Sequence, residues 1–383
     1  LTTGTLNTII GHQAFDAADD DESWNVVIGA YAMGACDQGA HADADVDRNV
    51  AVGYNALFGG DIGDGDSNII DNVAIGYGAM DGTNTQYAYD NVFIGSNSGG
   101  GTWETNGSIY NIGIGSSTLT GAMNDATYNI AIGHQALTAI TTGDSNVAMG
   151  ASAGASITTG ASNVCIGYRT GDAFDAEDNN IFVGANAGGG GSLAIGDSIG
   201  IGTSALTALT TGAGNIAIGT YALQQNVTGA RNLAIGHKAM GYSGGGTTDT
   251  SGDNIFIGYE SGAGDWSGGG TYASQYNVAV GNYTMDAAMT GALNNVGIGH
   301  AALSGLTGGD DNVAMGYQAG AAITSGTKNV VIGYQAADGI TAGVNNVAVG
   351  YGALGDSSAD VDACIAIGYN ALDAADHAND DGC

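Results

Sequence analysis

Proline is absent from this chain of 383 residues, and basic residues nearly so: five Lys and Arg stand against 38 Asp and Glu, a formal charge of −33. Proline removes a donor from a β-ladder, so its absence suits a backbone whose amides are all committed to ladder bonds. Such an acidic surface repels nucleic acid and anionic membranes. No apolar run approaches the roughly 20 residues that span a bilayer, so membrane insertion is not expected. Four Cys in a chain of this length do not make a disulfide scaffold. Phosphate-loop, HExxH and CxxC motifs are missing too. The string GASAG at 150–154 matches the nucleophile-elbow pattern G-x-S-x-G, but it lies on an ordinary repeat turn without the strand–turn–helix setting, so it is read as accidental. No catalytic residue and no enzyme activity are predicted.

What the chain has instead is glycine, 70 residues of it, and a recurring five-residue word. The word reads Asn, branched aliphatic, small residue, aliphatic, Gly, as in NVAIG at 72–76. It occurs 20 times; the fifth position is always Gly, the fourth always Ile, Val or Met, and the first is Asn in all but Ser198 and Cys364. Self-similarity at regular spacing marks a stacked repeat array, in which each unit touches only its neighbours. The whole of 1–383 is therefore read as one array, beginning in mid-repeat at Leu1, which predicts processing or a longer parent product.

The commonest spacing is 17 residues, and others run to 24. Alternation inside the word gives a period of two, a strand. Ala-Leu or Ala-Met follows (Ala136-Leu137, Ala205-Leu206), then a TTG-type turn such as Thr141-Thr142-Gly143. The predicted fold is all-β: a parallel β-solenoid of about 20 two-strand coils. The Asn column is expected to form a ladder of stacked amides, or else to serve as a turn residue tolerant of unusual dihedrals.

Positions two and four of the word are expected to fill the protomer's core, and position three to face outward. That third column is Ala74, Phe93, Gly113, Ala131, Ala148, Cys165, Phe182, Gly200, Ala217, Ala234, Phe256, Ala279, Gly297, Ala314, Val331, Ala348 and Ala366, with Ile9, Val27 and Ala51 before them. No member is polar. An apolar stripe of that length is too large to leave in water, so it is predicted to be buried between copies of the chain around an axis.

NVAIG and NIAIGHQAL, repeated with TTG turns from residue 7 to about 372, resemble the head repeats of trimeric autotransporter adhesins (YadA-type heads) and the related repeats of phage tail fibres and other trimeric surface proteins. The resemblance implies a left-handed parallel β-roll with three chains about one axis. It departs from the family in its longer coils and in the lack of a heptad stalk or membrane anchor.

Copies containing Phe are followed by Gly clusters, as in NVFIGSNSGGG from 91 and NIFIGYESGAG from 254. Phe is expected to widen the stack there, with the Gly loops folding back over it. Trp103 and Trp266 fall in such loops, where a partner could reach them. The residue after the word is Tyr in eight copies and His in four (His12, His134, His237, His300), an aromatic stripe read as rings stacked on one another, or as a sugar platform. The acidic residues gather toward 16–71 and 356–383. In the loop DIGDGDSN, Asp61, Asp64, Asp66 and Asn68 put hard oxygen ligands at short spacing, which suits Ca²⁺; the alternative is solvated charge blunting an exposed sheet edge. Cys364 and Cys383 lie 19 residues apart, close to one coil, so they could form a disulfide, with an intermolecular bond from Cys383 as the rival.

The functional expectation is a structural fibre or filament subunit, extracellular, on a cell surface or on a virion. It would be a homotrimer, with end-to-end polymerisation open, giving reach and attachment. The alternative is a receptor- or carbohydrate-binding fibre with recognition in the longer loops.

Overall fold

A computed structural model describes residues 4–18, 22–36, 45–59, 68–83, 87–103, 107–190, 196–242, 251–266, 273–355 and 361–373. The chain falls into two compact units, Leu1–Asn186 and Ala187–Cys383. Each unit is a parallel β-solenoid, without helix among the described residues. The first contains ten three-residue strands, from Thr8–Ile10 to Ile181–Val183, and the second ten more, from Ile199–Ile201 to Ile365–Ile367. Each of these twenty strands is the middle of one word. Within a unit neighbours pair in register, so that Ala131 lies beside Ala148, Ala148 beside Cys165 and Cys165 beside Phe182.

Two bonds flank each strand step of the ladder. The amide of position two donates to the next rung's Asn carbonyl (Ile130 to Asn146, 2.8 Å), and the next rung's Gly amide donates back to position four (Gly150 to Ile132, 2.8 Å). The Asn side chains form the expected amide ladder, buried from Asn25 onward. Asn146 shows the unit of it: its backbone amide and Nδ2 donate to Asn129 Oδ1 at 3.0 and 3.1 Å, and Nδ2 also donates to Gly160 O at 2.8 Å. Its own Oδ1 accepts the same pair from Asn163. Both donors and both lone pairs are thus used, which is what makes a buried primary amide tolerable.

The invariant Gly has two causes. All 20 sit at φ between +130° and +146°, where a Cβ is strained. In the stack a Cβ on Gly333, for example, would also run into the carbonyl oxygen of Gly350.

The second side of each coil differs from the expected second strand. Ala136 and Leu137 lie in a turn, and Leu137 has φ +47°. Three corners of every rung are left-handed: the residue before the Asn, the second after the Gly and the fourth after the Gly, as at Tyr128, Gln135 and Leu137. Such a conformation costs a non-Gly residue about 1–2 kcal/mol. The stack enforces it, because each corner amide donates to the neighbouring rung (Leu137 to Ala153, 3.0 Å; Gln135 to Ser116, 3.0 Å). Among the described residues the only regular second strands are Val46–Asp47, Ile69–Ile70 and Ala88–Tyr89, paired parallel in the first unit.

The inside and outside of the word are the reverse of expectation. The column Ala74, Phe93, Gly113, Ala131, Ala148, Cys165, Phe182, Gly200, Ala217, Ala234, Phe256, Ala279, Gly297, Ala314, Val331, Ala348 and Ala366 is buried inside the lone chain. It faces Ala136, Leu137, Ile140 and their counterparts, which are also buried. The reason is parity and space. Asn, the middle residue and Gly share one face of the strand, and the buried amide ladder fixes that face as the inner one. The lumen then has room for a small residue opposite a Leu, not for two columns of β-branched chains. Small size here reflects a narrow lumen, not the close approach of a second chain.

Candidate functional site

Turning the word inside out leaves positions two and four on the surface. In the first unit 19 of these 20 residues are aliphatic, Thr8 being the exception, and in the second unit all 20 are. They form two parallel ranks on a β-sheet face, one residue per rung, as in Ile112 and Ile114, Ile130 and Ile132, Val147 and Met149. Ile114 is 38% exposed and Ile201 39%, which for a side chain flanked by in-register neighbours leaves the outer end open. An ordinary surface scatters single apolar residues; a rank in every rung is a patch of a different order.

Beside this face run the aromatic files. In the second unit nine rings follow one another from Tyr221 through His237, Tyr259, Tyr283, His300, Tyr317, Tyr334 and Tyr351 to Tyr369, each within 6.1 Å of the next. From His300 onward the planes lie within 14° of parallel. The first unit has a shorter file, His12–Tyr31–Tyr54–Tyr77, and a separate stacked pair, Tyr110–Tyr128. Rings thus stack on rings, the first of the two readings of the stripe. The faces of Tyr351 are covered by Tyr334 and Tyr369, with ring centroids 5.0 and 5.2 Å away. A polar pocket of about 170 Å³ lies against this file, lined by Gln335, Asp338, Asn370 and Asp373.

The two tryptophans are core residues, not partner contacts. Trp103 is 2% exposed and sits edge-on to Phe93; Trp266 is 5% exposed and meets Phe256 the same way. Phe does not widen the stack. A Gly six residues on makes room: a Cβ on Gly99 would lie 2.8 Å from the Phe93 ring, and Gly262 stands in the same relation to Phe256.

Of the proposed calcium ligands, Asp61, Asp64 and Asp66 lie outside the described residues. Asn68 is described, and its side chain is engaged within the chain: Oδ1 accepts from the Asp45 amide at 2.7 Å and Nδ2 donates to Tyr89 Oη at 3.3 Å. Among the described residues no three His, Cys, Asp or Glu come together as a metal site. Cys364 is buried and disulfide-bonded; Cys383, the partner expected for it, lies outside the described residues. Cys36 and Cys165 are free thiols in the core, and burial pushes both up to about 12, so neither is a thiolate at neutral pH.

Charge is arranged rung to rung. Arg48 bonds Asp71 at 2.8 Å and Arg231 bonds Asp253 at 2.7 Å, in both cases between corners preceding successive Asn residues. Being exposed, such pairs contribute little, about 0–1 kcal/mol. Burial pushes the carboxyls of Asp81 and Asp286 above the usual range.

No family model matches the chain, and no curated protein matches it.

Proposed function

We propose that this protein is a structural subunit that assembles with copies of itself through the Ile/Val sheet face. The single observation that carries the reading is the apolar outer face, 39 of 40 positions aliphatic across the two units. A lone chain would leave that face in water at a cost proportional to its area, about 25 cal/mol per Å². Covering it with an identical face satisfies every rung at once, because the repeat that spaces one chain's ranks spaces the partner's too. A homotrimer follows from the resemblance to adhesin heads, as does the left-handed coil. The role is mechanical: an extracellular, cell-surface or virion fibre that gives reach and attachment, with end-to-end polymerisation as an extension. Calcium in the 61–68 loop belongs to the same proposal, and an unchanged melt on chelation would remove it.

The rival reading, a receptor- or carbohydrate-binding fibre, loses two of its anchors. Trp103 and Trp266 are buried and the stacked tyrosines offer edges in place of free faces. Its remaining support is the longer loops.

The test is mass in solution. Light scattering should give a multiple of 37.6 kDa, and Ile114→Lys with Ile298→Lys should shift it toward the monomer. Both positions are on the surface of the lone chain, so the fold should survive. A wild-type protein that runs as a stable monomer defeats the proposal.

A further inference from the structure

Tyr317, Tyr334, Tyr351 and Tyr369 form the longest run of stacked phenols among the described residues; Tyr54–Tyr77 and Tyr110–Tyr128 are stacked pairs of the same kind. Their successive ring centroids are 5.0, 5.0 and 5.2 Å apart and their planes differ by 10°, 4° and 14°. All four are exposed, Tyr351 by 49% and Tyr369 by 77%. Each ring stands on a backbone that repeats in register, so neighbouring phenols are kept at short range by the fold. Fixed proximity of this kind converts a second-order encounter into an intramolecular one.

We propose that this file is an oxidative modification site, at which a peroxide-driven one-electron oxidant joins tyrosines of successive rungs as dityrosine. Each phenol gives one electron to the oxidant and its hydroxyl proton to water, leaving a tyrosyl radical. Two adjacent radicals form a carbon–carbon bond between ring carbons ortho to oxygen. The hydrogens on those carbons then move to the phenol oxygens and restore both rings. In sum two tyrosines and one hydrogen peroxide give one dityrosine and two waters. The bond closes a loop of 17 or 18 residues, the spacing within the file. It would staple one rung to the next and so oppose unzipping of the array from its end.

The same chain supplies an internal control. Tyr168 is 57% exposed, but the residues at its position in the adjacent rungs are Ala151 and Ala185, so it has no phenol above or below it.

The assembled protein is treated with a haem peroxidase and hydrogen peroxide, digested and analysed by mass spectrometry. We expect peptide pairs joined with loss of two hydrogens at Tyr317–Tyr334, Tyr334–Tyr351 and Tyr351–Tyr369, all within one chain, together with dityrosine fluorescence. Tyr334→Phe keeps the stack but should abolish the first two links and leave the third. Treated wild type should melt at a higher temperature than untreated, and the treated variant should gain less. Absence of dityrosine overturns the proposal, and so does linkage through Tyr168 or between chains as often as along the file.

Discussion

Two kinds of rung solve the same packing problem with opposite choices. In the Ala131 rung the strand contributes a methyl to the lumen, and Leu137 and Ile140 fill it from the far side. In the Phe256 rung the strand contributes a phenyl ring, the Leu137 equivalent is Gly262, and Trp266 closes the space edge-on. Phe93 with Gly99 and Trp103 repeats the second arrangement, while Phe182, with Gly188 six residues on, packs against Phe174. What stays constant across both kinds is the Asn, the terminal Gly and the left-handed corners. The lumen accepts a volume, not a particular residue, while the ladder accepts only one chemistry. Interiors tolerate exchange of this sort when total volume is kept.

The comparison can be broken at its most bulky point. Phe256→Ala should cost about 4 kcal/mol in chemical denaturation, because it empties a fully buried site beside Trp266. Gly262→Leu alone should also destabilise, since its side chain would enter the Phe256 ring. The double variant converts one kind of rung into the other and should recover about 2 kcal/mol relative to additivity. Strict additivity would mean the two positions do not share a volume.

The invariant positions should resist any such exchange. Gly333→Ala combines a positive φ of +142° with a collision against the Gly350 carbonyl, together about 4 kcal/mol. Gly368→Ala keeps the φ penalty (+130°), but the nearest atom to its Cβ is Ala371 Cβ at 4.0 Å, so about 2 kcal/mol is expected. Equal losses would show that the stacking collision relaxes and that backbone conformation alone selects Gly.

The Asn ladder is next in size. Asn146→Ala deletes the bonds to Asn129 Oδ1 and Gly160 O and strands two donors of Asn163, at about 3 kcal/mol. Serine should cost roughly half of that, because the chain already uses it. At Ser198 the hydroxyl accepts from the Asn215 amide at 3.3 Å, and Asn215 Nδ2 turns to the carbonyls of Gly212 and Gly229. A serine as costly as alanine would mean that the Ser198 rung depends on something other than its hydroxyl.

Twentyfold recurrence made the solenoid, its strand and its amide ladder legible in the sequence. Which side of the strand is inner was not settled by recurrence, because alternation fixes parity and leaves the sign open. The missing sign was present in the Asn. A primary amide that ladders must be shielded from water, so its own parity class, including the Ala/Gly/Phe column, faces the lumen. The six-residue offset between Phe and Gly was equally readable and names the tryptophans' loops as core. The turn conformation of Ala136-Leu137 was not readable, since leucine has no preference for a left-handed corner and adopts one only because the rungs on either side demand it.

Those corners supply the smallest and most discriminating prediction, for they are common to both kinds of rung. Ser162 has φ +60°, is exposed, and donates its backbone amide to Asp144 O at 2.9 Å. Ser162→Gly relieves a left-handed penalty of about 1–2 kcal/mol and adds about 0.5–1 kcal/mol of chain entropy to lose on folding. The net should be a gain of about 0.5 kcal/mol with the backbone bond intact. Ser162→Val should move the other way, because a β-branched side chain is worst in that region. If both substitutions were neutral, the corners would be intrinsically unstrained and the stack would not be the agent that enforces them. If glycine stabilises and valine destabilises, every non-Gly corner carries a small local cost that the ladder offsets, and the array holds its shape through cooperation between rungs.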